Sequence, residues 1–394
     1  MRPELPTPAK GDLPLPPASA LPPGTLGAAL PSWADLPWPA AFPTPAEPPT
    51  PPHPRAAIAF AGGETAALAR LKHYLWDTDA IATYFETRNG MLGPDYSTKF
   101  SPWLAHGCLS PRRVHAEVRR YERARTEGGA GTKSTYWVLF ELTWRDFFVF
   151  WARKHGDRIF FLGGPADGRR AGGGGERTPW RDDRALFARW AEGRTGHPLV
   201  DANMRELRQT GFMSNRGRQN VASLLAVDYG VDWRLGAAVF EYFLVDHTPT
   251  ANWGNWVCAA GMNGGRVNRF NVPKQSKDYD PQGAYARAWV PELGRVPAAG
   301  VHEPHLMARA AQEAAGCVVG VDYPAPVPAR ELAWRGYGDG GGGGRGGGRG
   351  GGGGGRGGGR GGGGGGRGGR GGGGGGRGGG GAQRRRPSEF EMFG

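Results

Sequence analysis

The sequence predicts an all-α fold, and three observations carry that prediction. Apolar residues recur at three- and four-residue spacing, several segments open on residue pairs that start helices, and alternating strand patterns are nearly absent. All three lie in the middle of a chain of 394 residues whose ends have a different composition. From Met1 to Pro54, 18 of 54 residues are proline, which removes backbone donors and favours extended segments. Every residue from Gly340 to Gly381 is glycine or arginine, and such a stretch cannot bury a core. The expected organisation is a Pro-rich disordered linker over 1–61, a helical domain over 62–305, a short extension over 306–338 and a disordered Gly/Arg-rich tail over 339–394.

Within the helical part, Thr65 to Trp76 carries Leu68, Leu71 and Leu75 as a core-facing stripe, with Arg70 and Lys72 expected outside it. Ser101-Pro102 and Ser110-Pro111 each read as an N-cap followed by proline at the first helical position, where no donor is needed. Gly107 is expected to end the first of these helices, and the second to run to Tyr121 or beyond. Tyr136 to Ala152 is aromatic on every side and includes Glu141 and Arg145 one turn apart, beside Trp137, Trp144 and Phe148. Either the two charges form an exposed i,i+4 pair, or Glu141 stands in an apolar wall, where a carboxyl can bind a flat heterocycle and manage a proton on it. Asp232-Trp233 opens a further helix through Phe240, Tyr242 and Phe243.

The most polar of the apolar segments lies between Gly211 and Trp256. Asn215, Arg218 and Gln219 share one helical face just before the buried-type run Leu224, Leu225 and Val227. Uncompensated burial of such groups costs about 2 kcal/mol or more each, which points to a large polar ligand. Tyr96 to Pro102 offers three hydroxyls, Lys99 and backbone N–H groups at a helix start, a seat for phosphate or pyrophosphate. Together these suggest a dinucleotide held without a Rossmann fingerprint.

Cys108, Cys258 and Cys317 lack paired spacing and the nine histidines are scattered, so neither a disulfide framework nor a metal centre is expected. Reduced thiols fit a reducing, intracellular setting, with nucleus, cytoplasm and organelle all left open. No secretory signal or membrane span is read anywhere. Of the formal charge of +13, about +8 belongs to Gly340–Gly394, leaving a mildly basic core. The tail reads either as an inert solvated extension or as a nucleic-acid arm, possible for RNA, whose arginines would contact phosphates in a salt-dependent way.

Read in order, Tyr-Phe-Glu-Thr-Arg-Asn-Gly, Tyr-Ser-Thr-Lys-Phe-Ser-Pro-Trp-Leu-Ala, Phe-Glu-Leu-Thr-Trp-Arg-Asp-Phe-Phe, Gly-His-Pro-Leu-Val-Asp-Ala-Asn-Met-Arg, Ser-Asn-Arg-Gly-Arg-Gln-Asn-Val-Ala-Ser and Asn-Trp-Gly-Asn-Trp resemble the FAD-binding helical domain of the photolyase/cryptochrome flavoproteins. Gln219 and the run from Pro273 to Pro281 resemble its DASH branch. The resemblance implies that Tyr84, Ser97, Thr98, Lys99 and Ser101 face the FAD phosphates and ribityl chain. It implies that Glu141, Arg145, Asn215, Arg218, Asp246 and Asn252 surround the flavin, with Arg218 paired to Asp246, and that Trp256, Trp233 and Trp180 form an electron relay. The implied reaction is light-driven splitting of cyclobutane pyrimidine dimers in single-stranded DNA by a monomer, with the lesion flipped out onto Trp144 within reach of Glu141 and Asn215. A blue-light receptor or nucleic-acid-binding regulator without turnover is the alternative, and a helical part unable to fold by itself is a third possibility.

Three departures from the family pattern bear on these expectations. The sequence has only a Pro-rich stretch where family members carry an α/β domain, so no folate antenna pocket is expected. Thr248 stands where a second aspartate is common, and Cys258 where an aromatic lines the lesion pocket.

Overall fold

A computed structural model describes residues 52–166, 180–265, 267 and 269–328. The Pro-rich stretch up to residue 51 and the Gly/Arg tail lie outside the described residues, as do the readings made of them. The described residues are helical, and their β-structure amounts to the isolated bridges Arg181 to Val231 and Val319 to Tyr323.

In chain order the helices are α1 (Glu64–Lys72), α2 (Tyr84–Thr87), α3 (Ser101–Ala105), α4 (Pro111–Arg125), α5 (Lys133–His155), α6 (Arg184–Ala191) and α7 (Pro198–Thr210). They continue as α8 (Asn215–Ser223), α9 (Trp233–Phe243), α10 (Pro249–Ala259), α11 (Val272–Tyr279), α12 (Ala284–Trp289) and α13 (Arg309–Ala315). Two of them run on into a π turn, α1 through His73–Asp77 and α8 through Leu224–Asp228.

Side chains start many of these helices by accepting an orphan N–H of the first turn. Ser110 accepts from Arg112, Asp183 from Leu186, Ser214 from Gly217, Asp232 from Arg234 and Asn271 from Lys274, each contributing about 1 kcal/mol. Thr132 and Thr135 cap the 23-residue α5 reciprocally. Ser101 departs from expectation: it is the first residue of α3, the cap position is Phe100, and no side chain caps this helix. Gly107, at φ 73°, follows the end of α3 as expected.

Apolar burial gathers into two clusters. One holds Leu71, Tyr74, Leu75, Phe100, Trp103, Val114, Val118, Val138 and Leu142, from α1 and α3–α5. The other holds Trp190, Leu207, Leu225, Trp233, Phe240, Trp256, Tyr285 and Trp289, from α6–α10 and α12. Residues 306–328 pack onto the second cluster, where the Tyr323 hydroxyl donates to Asp201 at 2.5 Å.

Two glycines let α10 pack closely against its neighbours α9 and α5. A Cβ at Gly236 would run into the Trp256 ring and would lie 2.7 Å from Leu225, and a Cβ at Gly254 would run into Phe148. Backbone approach of α9 to α10, and of α10 to α5, therefore depends on these hydrogens. Gly236→Ala is expected to destabilise by about 1–3 kcal/mol through overpacking, despite alanine's better helix propensity, as urea denaturation of the flavin-free chain would show.

Arg70 corrects the stripe read on α1. It is buried rather than outside, and its guanidinium donates to the carbonyls of Pro94, Ser97 and Thr98 at 2.9–3.1 Å and to Asp95 at 2.7 Å. One cation thus moulds the loop that carries the predicted phosphate-facing hydroxyls, and only a distant acceptor set reveals it.

Candidate functional site

At the seam of the two clusters lies a solvent-connected cavity of about 1270 Å³, mouth included. Its apolar wall is shared: Phe100, Val114, Val138 and Leu142 come from the first cluster, and Met213, Phe240 and Leu244 from the second. All eleven residues expected to touch a dinucleotide line it: Tyr84, Ser97, Thr98, Lys99, Ser101, Glu141, Arg145, Asn215, Arg218, Asp246 and Asn252.

One end is built by the loop that Arg70 holds. Ser97, Thr98 and Ser101 supply hydroxyls there, and Lys99 adopts the left-handed backbone at φ 53°, a conformation that only a constrained loop sustains in a lysine. Its Nζ lies over the face of the Tyr96 ring, 3.1 Å from the centre, where the charged form would make a cation–π contact. Burial, reinforced by Arg70, lowers the Lys99 pKa to about 6, against opposing pulls from Glu206 and Asp95. Glu206 itself is raised to about 7 by burial while accepting the Tyr285 hydroxyl at 2.6 Å. Titratable groups therefore stand ready for a change in charge at this end.

In the middle of the cavity, α5 presents Glu141. Its Oε1 lies 3.5 Å from Nη1 of Arg88, its Oε2 is buried without a hydrogen-bond partner, and burial raises its pKa to about 7. The exposed pair with Arg145 that the i,i+4 spacing allowed gives way to this arrangement, and Arg145 lies 3.3 Å from Asp146. The Arg88 guanidinium lies 4.1 Å from the Trp137 ring centre. Arg88 also lines the cavity and escaped the sequence reading, because a single arginine following a four-residue helix gives no local sign of its partner.

Also in the lining, Arg218 of α8 donates to Asp246 at 2.7 Å and to the Met213 carbonyl at 3.0 Å. Asp246 Oδ1 is buried without a partner. Asn252, on the first turn of α10, donates its amide to the Ala237 carbonyl at 2.9 Å and keeps Oδ1 buried and unpartnered. Thr248 caps α10 by accepting from Ala251, so the hydroxyl that replaces a second carboxylate has a structural task. Phe212, His247 and Asn255 also line the cavity without having been singled out in the sequence, since an aromatic, a histidine and a mid-helix asparagine lack a distinctive spacing. Gln219, placed on the same face as Asn215 and Arg218, instead turns to accept from Arg216 at 2.9 Å and does not line the cavity.

Outside the wall stand the predicted tryptophans. Phe240 lines the cavity and its ring centre is 5.1 Å from that of Trp256, which is fully buried one layer behind it. Trp233, equally buried, opens α9, and the half-buried Trp180 directly precedes Arg181, which bridges to Val231 two residues before Trp233. Trp144 does not line the cavity: it stands one turn beyond Glu141, stacked on Phe147 with centres 5.0 Å apart. Cys258 is half-buried on α10, its thiol 3.2 Å from the Asn263 amide, and burial raises its pKa to about 12. Among the described residues no cluster of His, Cys, Asp or Glu could hold a metal ion, and no helix is long and apolar enough to cross a membrane.

This geometry agrees with what the chain resembles. Residues 137–334 match the family described as the FAD binding domain of DNA photolyase. The chain is 57% identical over 270 residues to the cryptochrome DASH of Ostreococcus tauri, covering 68% of this chain and 46% of that one. It is 53% identical over 274 residues to that of a Synechocystis strain, covering 69% and 54%. Among solved structures, a Synechocystis cryptochrome superposes with a TM-score of 0.67 at 50% identity, over 72% of this chain and 57% of that one. A bacterial class III photolyase from Agrobacterium tumefaciens gives 0.61 at 31% identity, over 70% and 54%. The chain spans about half the length of the curated relatives it matches.

Proposed function

The chain belongs to the photolyase/cryptochrome family of FAD-binding proteins, in its DASH branch, and from that premise we propose that it is a light-driven flavoprotein acting on pyrimidine dimers in single-stranded DNA. The observation that carries the proposal is the cavity's polar lining: three buried and unpartnered acceptor oxygens, on Glu141, Asp246 and Asn252, in a wall that also carries hydroxyls and Lys99. Buried acceptors of that kind are costly unless a ligand satisfies them, and a flat ring with N–H groups joined to a diphosphate would do so. The residues fit FAD on this test.

In this reading Tyr84, Ser97, Thr98, Lys99 and Ser101 bind the phosphates and ribityl chain, while Glu141, Arg145, Asn215, Arg218, Asp246 and Asn252 enclose the ring. Bound FAD supplies the chromophore and the photoexcited redox centre. Trp256, Trp233 and Trp180 deliver electrons to that centre from the surface. Trp144 stacks on a flipped dimer, and Glu141 and Asn215 hydrogen-bond to it. The Gly/Arg tail adds phosphate contacts to DNA or RNA. Illuminating the reduced, FAD-loaded chain with a dimer-bearing oligonucleotide tests this reading. Recovery of thymine absorbance supports it, and an unchanged oligonucleotide in the presence of bound flavin refutes the repair activity. Cys258 favours a second reading, a blue-light receptor or regulator without turnover, since a thiol held by Asn263 offers the lesion less surface than an aromatic ring.

A pH dependence follows from Lys99. With its pKa near 6 the amine is neutral at pH 8, and an adjacent diphosphate favours its charged form, so binding takes up a proton. Affinity for FAD is therefore expected to fall as pH rises above about 6, by at most about tenfold per pH unit. Glu206, ionising near 7, partly offsets the fall by supporting the Lys99 charge. Calorimetry in buffers of different ionisation enthalpy measures the uptake, and Lys99→Met should abolish it.

A further inference from the structure

We propose that Trp253, with Glu241 as its proton acceptor, is a second surface exit for the oxidising equivalent that reaches Trp233; the inference rests on the relay through Trp256 and Trp233 proposed above. The ring centres of Trp233 and Trp253 are 5.8 Å apart and set edge to face, a contact as close as others inside the core. Trp233 is fully buried, and its indole N–H donates to the Leu162 carbonyl at 3.1 Å. Trp190, in contact with Trp256, donates to the Val221 carbonyl at 2.9 Å. An amide carbonyl is a poor base, so an oxidised ring at either position keeps its proton and remains a strong oxidant. Trp253 differs: it is half-buried, and its N–H donates to Glu241 Oε2 at 2.8 Å. A carboxylate within hydrogen-bond distance can accept that proton.

The step balances as follows. One electron passes from Trp253 to oxidised Trp233, restoring the latter. The N–H bond of Trp253 breaks and an O–H bond forms on Glu241, leaving a neutral indolyl radical at Trp253. The primary oxidant is a photoexcited oxidised flavin. Glu241 is exposed and returns the proton to water, and the His247 imidazole also faces it, with Nε2 3.9 Å from Oε1. Proton loss stabilises the hole against return, so Trp253 and Glu241 lengthen the life of the charge-separated state. Phe160, with its ring centre 5.1 Å from that of Trp253, shields one side of the radical.

Two measurements test the pair. In the flavin-free chain, ¹⁵N NMR of the indoles should show one N–H resonance that disappears in Trp253→Phe and moves upfield in Glu241→Gln; an unmoved resonance would contradict the hydrogen bond. In the FAD-loaded chain, a blue flash followed by transient absorption should show a neutral tryptophan radical. Trp253→Phe should lose its long-lived part, and Glu241→Gln should leave a protonated radical that recombines faster. Parent-like kinetics in both variants would overturn the proposal while leaving the relay intact. Should Trp233→Phe leave the radical yield unchanged, the relay itself is wrong, whatever Trp253 does.

Discussion

Arg218→Ala is expected to destabilise the flavin-free chain by about 3–5 kcal/mol and to abolish FAD retention. Its partner Asp246 is almost wholly buried, with a side-chain exposure of 1%, and one of its oxygens already lacks a partner. Removing the guanidinium leaves an uncompensated carboxylate and also frees the Met213 carbonyl, which Arg218 holds at the start of α8. Replacing both partners with apolar residues of similar volume, Arg218→Met with Asp246→Leu, should restore much of the stability and none of the flavin binding. Urea denaturation followed by far-UV circular dichroism measures the first effect, and flavin absorbance after gel filtration the second. A single variant as stable as the parent would show that the pair is not electrostatically buried in solution.

Trp256→Phe should retain bound flavin and lose its reduction by blue light. Trp256 packs against Phe240 of the cavity wall, their ring centres 5.1 Å apart, and phenylalanine is too hard to oxidise to replace an indole there. The smaller ring leaves space beside Gly236, so some loss of stability accompanies the change, and the bound-flavin spectrum serves as the control for folding. Steady blue illumination with an external electron donor gives the readout. Undiminished photoreduction in this variant would remove Trp256 from the path.

What the sequence made legible was local. Ser110, Asp232 and Gly107 mark helix ends through their own chemistry, and the structure places those ends there. Asn215 and Arg218 could be assigned to one wall from their spacing, because a helix fixes which residues share a face. Ser101-Pro102 misled in part: proline indicates an early helical position, but the cap depends on the geometry of the preceding loop, which Arg70 controls from α1. Arg70 and Arg88 were missed for a common reason. Each is buried by partners 24 or more residues away, and a charged residue carries no local mark of whether such partners exist. Gln219 shows the converse, a polar residue on the right face of α8 that Arg216 claims for a neighbouring network. Ordered motifs brought the eleven cavity residues together in advance, while the seam between two apolar clusters that forms the cavity became visible only in three dimensions.

The central claim is that the seam cavity holds FAD where tryptophans can reduce it, and absorption spectroscopy tests that most directly. The purified chain, supplied with FAD and freed of excess, should show the two-banded visible spectrum of bound oxidised flavin, and blue light with an electron donor should bleach it. A helical, cooperatively folding chain that stays colourless after FAD is supplied would contradict the account.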